Sequence, residues 1–265
     1  MNEETAFERC KAFIDCQLQS AKGNAAGATC VPSIVTIARD TGCGALAVAE
    51  KLAAFLNRND SQAKCPWTYF DKNLVERVLK EHHLPQRMAQ YMTEEKVSEL
   101  DDAVAELLGL HPSMWTLVHY TIETILHLAQ LGNVILVGHG ATAITSKFKG
   151  AFHVRLVGTL DRRAERIQES LHLSRNEASE YVKREDRRRR RFYKSYFELW
   201  LDDPLLYHLI INTDRVSSEE AGRLIGESVL LHRSMIAGLQ NPLRSSYQVN
   251  GHPTTAGNGK RSMVN

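Results

Sequence analysis

The sequence predicts a three-layer α/β/α sandwich around a central parallel sheet, and three observations point to it. Short apolar runs recur at Ile34–Ile37, Val134–Val137, Phe152–Val157 and Leu209–Ile211. Each is too short for a helix and apolar enough for a buried parallel strand. Stretches with helical hydrophobic spacing separate them, which places helices on both faces of a parallel sheet. Two of the runs end in small-residue turns, at Gly42–Gly44 and Gly138–Gly140. In such sheets ligands sit beyond the carboxyl ends of the strands.

With 265 residues, 43% hydrophobic and 24% charged, the chain can bury one sizeable core and matches neither a disordered nor a fibrous composition. No apolar run approaches the ~20 residues that cross a bilayer. Met1–Glu4 is acidic and lacks the apolar core of a secretion signal, so a cytoplasmic setting without membrane contact is expected. Five cysteines (Cys10, Cys16, Cys30, Cys43, Cys65) are odd in number and show no C-x-x-C spacing. Reduced thiols are therefore expected, rather than disulfides or a zinc site.

Residues 1–30 read as an appendage. Phe7, Cys10, Phe13, Ile14 and Leu18 mark an amphipathic helix over 3–19, followed by a small-residue linker. Its apolar face is expected to meet the core or a second copy in a homodimer. The main domain spans 31–235. It opens with the strand at Ile34 and runs through Arg39, Asp40, Thr41, Gly42, Cys43 and Gly44. A helix follows from Ala45 and Leu46, with Leu46, Ala49, Leu52, Ala53 and Leu56 at helical spacing. Strand, glycine turn and helix together aim backbone N–H groups at one point, which is an anion site and most often a phosphate site. The full phosphate-loop pattern G-x-x-x-x-G-K-[ST] is not met. Arg39, Gly44, Ala45 and Leu46 hold its defining positions, and only Gly44 agrees. The plain alternative is a packing turn. Cys43 at the helix start is either a thiol of lowered pKa or a small packing residue.

The later elements follow in order. Pro66–Asp71 is a short strand ending in an acid, and a helical insert covers 80–131, with Trp115, Val118, Ile122, Ile125, Leu126 and Ala129 as its last apolar stripe. A helix over Thr159–Leu171 turns Leu160, Ala164 and Ile167 inward. Ser174–Glu177 is a capping box that starts the next helix. Ser217–Glu220 caps the last, with Ala221, Leu224, Ile225 and Val229 inward. Residues 236–265 form an Asn-, Gly-, Ser- and Thr-rich tail, expected to be mobile and functionally silent.

Lys183–Lys194 carries Arg187–Arg191 without interruption. Three readings compete, in this order: a clamp on phosphates, a solvated helix paired with Glu177, Glu180, Glu185 and Asp186, and a nucleic-acid patch beside Phe192, Tyr193, Tyr196 and Phe197.

Taken together, Val31–His232 resembles the cytidylate kinase-like family, a divergent branch of the nucleoside monophosphate kinases. Ile34–Leu52 is similar to that branch's opening strand, glycine loop and helix, a loop that commonly lacks the lysine. Tyr69-Phe70-Asp71 with Arg77 resembles its acceptor segment, Val137–Gly140 its Gly-Arg-Gly turn, and Arg184-Glu185-Asp186-Arg187 through Arg191 its lid. His139 stands where the family has an arginine.

The resemblance implies a P-loop kinase-like fold with 80–131 as a helical acceptor-side insert and 173–199 as an arginine-rich lid. It implies ATP, or another nucleoside triphosphate, with Mg²⁺ over Arg39, Asp40, Thr41, Gly42, Cys43, Gly44, Ala45 and Leu46. The acceptor, a nucleoside monophosphate or similar phosphorylated small molecule, would lie near Asp71, Arg77, Gly138, His139 and Gly140. Arg39, Arg184, Arg187 and Arg191 would be catalytic. No residue is assigned directly to metal, although Asp40 is a candidate through water. Nucleic acid is not the expected partner. The missing lysine and hydroxyl keep a nucleotide sensor without turnover as the alternative, and RNA binding through the arginine run as a second.

Overall fold

The computed structural model describes residues 12–13, 15–17, 33–71 and 115–239. The elements are β1 (Ile34–Arg39), α1 (Ala45–Asn59), β2 (Thr68–Phe70), α2 (Trp115–Leu131), β3 (Val134–Val137), α3 (Ala141–Ile144), β4 (Ala151–Val157), α4 (Leu160–Leu171), α5 (Arg175–Phe197), a 3₁₀ turn at Pro204–Leu206, β5 (Leu209–Asn212) and α6 (Ser218–Leu239). The sheet is parallel, in the order β2-β3-β1-β4-β5. From β3 the chain crosses β1 to reach β4, so the two wings of the sheet diverge at the end of β1. A ligand crevice opens at such a point.

Alternation along β1 decides what each face meets. Val35 and Ile37 join α1 and α6 in the larger core, with Leu52, Leu56, Ile135, Val154 and Ile225. Thr36 and Ala38 point the other way. The Thr36 hydroxyl lies 3.0 Å from that of Thr142 and 2.8 Å from His153 Nδ1, and Ala38 packs with Ala143, Tyr193 and Leu201. On the other face, Asp60 at the end of α1 ties that helix to α6. It accepts the Trp67 Nε1–H at 2.8 Å and pairs with Arg233.

The expected strands, both capping boxes and the three layers are present. The Ser174 hydroxyl accepts the Glu177 N–H, and Ser217 does the same for Glu220. Side-chain placement differs in three respects. Leu224 is 41% exposed. In α4 it is Arg163 and Ala164 that are buried, while Leu160 and Ile167 are half-buried. Cys16 and Cys65 form a disulfide, which corrects the expectation of reduced thiols throughout. Spacing could not reveal it, because the two residues are 49 apart in sequence. They meet because Phe13 is fully buried, edge-on against Phe70. The described part of the appendage, residues 12–13 and 15–17, thus packs on the core. A disulfide belongs to an oxidising setting, so the cytoplasmic expectation loses the support it drew from the cysteines. Arg77, residues 80–114 of the insert expected over 80–131 and residues 240–265 of the tail lie outside the described residues. Among the described residues no helix is long and apolar enough to cross a membrane.

Candidate functional site

The end of β1 delivers Arg39 and Asp40 to the crevice, and the loop Thr41–Gly44 turns there into α1. Gly42 has φ +83°, and a Cβ on it would lie 2.4 Å from the Arg163 carbonyl oxygen. Only glycine allows the loop to lie that close on α4. The loop carbonyls are held from α4: Arg163 Nη1 donates to Thr41 O at 3.1 Å, and Arg166 Nη1 to Gly42 O at 3.2 Å. Its first amide is held from α5. The Thr41 N–H donates to Asp186 Oδ1 at 2.8 Å, and the other carboxylate oxygen takes Arg163 Nη1 at 2.6 Å. Arg189 Nη1 reaches both the Thr41 hydroxyl (3.1 Å) and Asp186 (3.2 Å). Burial by itself would raise the Asp186 carboxyl. The hydrogen bonds from Thr41 and Arg163 outweigh it and hold the group below the usual range.

The arginine run therefore does fold onto the glycine turn, through a different set of residues from the expected one. With about 3.6 residues per turn, Val182, Asp186, Arg189 and Tyr193 share the inward face of α5. Asp186 is 4% exposed and Tyr193 3%. Arg184, Arg187 and Arg191 share the opposite face and are exposed. Arg184 lies over the Tyr181 ring and 3.6 Å from Glu185.

Beside the loop stands Arg39. Its guanidinium lies against Gly138, where a Cβ would come within 1.8 Å of Nη1, and Gly138 holds φ +89°. Arg39 makes no ion pair among the described residues. Its pKa is pulled down to about 10, first by burial and then by the neighbouring Arg189, while Tyr193 and Asp71 act in the opposite sense. The structure thus gathers Arg39, Asp71, Gly138 and Arg189 at one rim. His139 follows in the same turn with φ +57°. Gly140 is covered by Phe192 and Phe197 of α5.

Asp40 faces a different set of partners. It accepts from Arg155 Nη2 at 3.0 Å, and the same nitrogen reaches Asp202 at 2.5 Å. Arg155 Nη1 donates to Leu201 O, and Arg190 Nε to Asp202 at 2.6 Å. Burial raises the Asp40 carboxyl, with Arg155 and Arg163 opposing. Surrounded by guanidinium groups, Asp40 does not suit a cation. No cluster of three His, Cys, Asp or Glu able to hold a metal exists among the described residues. A Mg²⁺ carried by a nucleotide is held mainly by phosphates and water and does not require such a cluster. Cys43 is buried and its thiol pushed up to about 11 by that burial, the reverse of an activated thiol. Beyond it Gly44 is exposed and Leu46 is 49% exposed, so the start of α1 faces open space.

Residue type alone gives no role to Arg155, Arg163 or Arg166, and places Asp186 and Arg189 only within the arginine run, not on the loop. For Asp186 and Arg189 a signal existed, since the capping box at Ser174 sets the phase of α5. For the α4 arginines none did, because only the tertiary contact turns them inward.

No curated protein matches this chain. Among solved structures it is similar to an uncharacterized protein from Eubacterium ventriosum ATCC 27560. The two are 19% identical, over 76% of this chain and 99% of that one, with a TM-score of 0.59. A shikimate kinase from Bacteroides thetaiotaomicron also aligns, 13% identical over 77% of this chain and 98% of that one, with a TM-score of 0.40. The first likeness is one of fold. The model of the cytidylate kinase-like family matches residues 34–215, more than half of the chain, and on that match the chain belongs to the cytidylate kinase-like family.

Proposed function

We propose that this protein is an ATP-dependent phosphotransferase of the nucleoside monophosphate kinase type, with the acceptor phosphate bound between Arg39, Arg189 and the Gly138 turn. One observation carries the reading: a half-buried guanidinium without an ion pair among the described residues, set beside a second guanidinium. Two cations crowded out of water repel each other, and a dianionic phosphate relieves both that repulsion and the lost hydration. Asp71 and His139 border the same space. The backbone N–H groups from Gly44 to Leu46, at the start of α1, suit donor phosphates. Phosphoryl transfer asks a protein mainly for positioning and electrostatic stabilisation, and arginines from β1 and α5 supply both without a loop lysine. Mg²⁺ would arrive with the nucleotide, held by its phosphates and by water.

A second reading has its own support. The first loop amide is already taken by Asp186, and neither a lysine nor a hydroxyl follows Gly44. On that reading the fold binds nucleotide and does not turn it over. Calorimetric titration of wild type and Arg39→Met with ATP and a panel of nucleoside monophosphates, alongside product analysis with Mg²⁺, separates the possibilities. The expected result is turnover with at least one acceptor, and a loss of acceptor affinity of about tenfold or more in Arg39→Met, from a charge-assisted pair worth ~1.5–3 kcal/mol. Binding without product leaves the sensor. Unchanged acceptor affinity in Arg39→Met overturns the site assignment.

A further inference from the structure

We infer that the outward face of α5 binds single-stranded nucleic acid. The two faces of this helix do separate work. Asp186, Arg189 and Tyr193 face the glycine loop, and Arg184, Arg187, Arg188, Arg191 and Lys194 form a ridge on the other side. At ~1.5 Å per residue the ridge runs about 15 Å from Arg184 to Lys194, longer than one phosphate group requires. Its charge is partly compensated, since Glu180 one turn earlier interacts with Lys183 and Arg187. Glu185 is the one carboxylate within 184–194 on or beside this face, shared by Arg188 at 3.1 Å and Arg184 at 3.6 Å. Arg187 and Arg191 are exposed and form no ion pair among the described residues.

Aromatic rings complete the surface. Lys194 Nζ sits 4.6 Å from the Trp200 ring centroid, and Trp200 is 65% exposed. Tyr181 underlies Arg184 at 5.2 Å. Cations that follow a backbone, with an open indole beside them to take a base, are the components of a sequence-tolerant single-strand surface. A membrane surface fits less well. A helix that lies in the lipid interface needs an apolar face to insert, and the apolar face of α5 is spent on Ala38, Ala143 and the Gly140 turn. The inference is independent of the chemistry proposed at the loop, because it uses none of those side chains.

The test is fluorescence anisotropy with a labelled single-stranded oligonucleotide. Wild type is compared with Arg187→Gln/Arg188→Gln/Arg191→Gln and with Trp200→Ala between about 50 and 200 mM salt. Wild type should bind with a log–log salt slope of about −2 to −3, at roughly −0.7 per phosphate engaged, and the triple variant should lose about 2 of it. Trp200→Ala should weaken binding about tenfold with the slope unchanged, the signature of a lost stacking contact. If circular dichroism shows the triple variant unfolded, Arg191→Glu alone carries the comparison and should weaken binding and flatten the slope. No binding at low salt, or the same binding and slope in the arginine variants, overturns the inference. So does retention on phosphatidylserine vesicles through these residues with no binding to the oligonucleotide.

Discussion

Replacing Asp186 by Asn tests the contact on which the loop geometry depends. The carboxylate is 4% exposed and receives the Thr41 N–H, Arg163 and Arg189. Asn keeps the shape and removes the charge. It leaves the buried Arg163 with only the carbonyls of Gly158 (2.9 Å) and Thr41 (3.1 Å). Breaking one partner of a buried pair costs ~3–5 kcal/mol, and the two carbonyls place this case at the lower end, about 3 kcal/mol. At roughly 2–4 °C per kcal/mol for a chain of this size, Tm should fall by about 6–12 °C. Urea unfolding of Asp186→Asn, Arg163→Met and the double variant measures the cost and the coupling together. The coupling should reach about 2 kcal/mol, since neighbours in one network do not add. The sign with pH follows from the lowered Asp186 pKa. The stabilisation is complete above the ordinary aspartate value of 3.8 and is lost as pH falls through the folded value. A single-variant cost within about 0.5 kcal/mol of zero, or costs that simply sum, would refute the clamp.

Gly138→Ala should expel the Arg39 guanidinium, since the new Cβ takes its place. The positive φ adds ~1–2 kcal/mol of strain, so acceptor binding measured by titration calorimetry should fall far more than stability. His153 is buried neutral, its pKa lowered to about 4 by burial and then by His208 and His232. Its contribution is complete above the ordinary histidine value of 6.5 and fades as pH falls towards 4. Up to about 3 kcal/mol is lost, at ~1.36 kcal/mol per pKa unit. Urea midpoints across that window should therefore drop, and His153→Asn should flatten the curve. Cys16→Ser opens a loop closed across 49 residues, worth at most ~4 kcal/mol by chain entropy. Limited proteolysis should then cleave the N-terminal segment first, and a reducing agent should do the same to wild type.

The local elements were legible because their signals are local. Apolar runs with the strand period, helical stripes, two capping boxes and two glycine turns are each written within about twenty residues, and strand alternation with helix placement makes the sheet parallel. The loop, Arg39, Asp71 and the Gly138 turn were readable for the same reason, since in a parallel sheet they must gather at one rim. What residue type could not show is which way a charged helix faces. Every arginine from 187 to 191 looks alike in sequence, and only packing against the Ala38–Tyr193 layer turns Asp186 and Arg189 onto the loop and Arg187 and Arg191 away from it. Likewise Arg163 and Arg166 become loop ligands, and Cys16 meets Cys65, through contacts between residues distant in the chain. Hydrophobic period determined the architecture here. The phase of each helix against its neighbours, a property of the folded layers alone, decided which charges make the site.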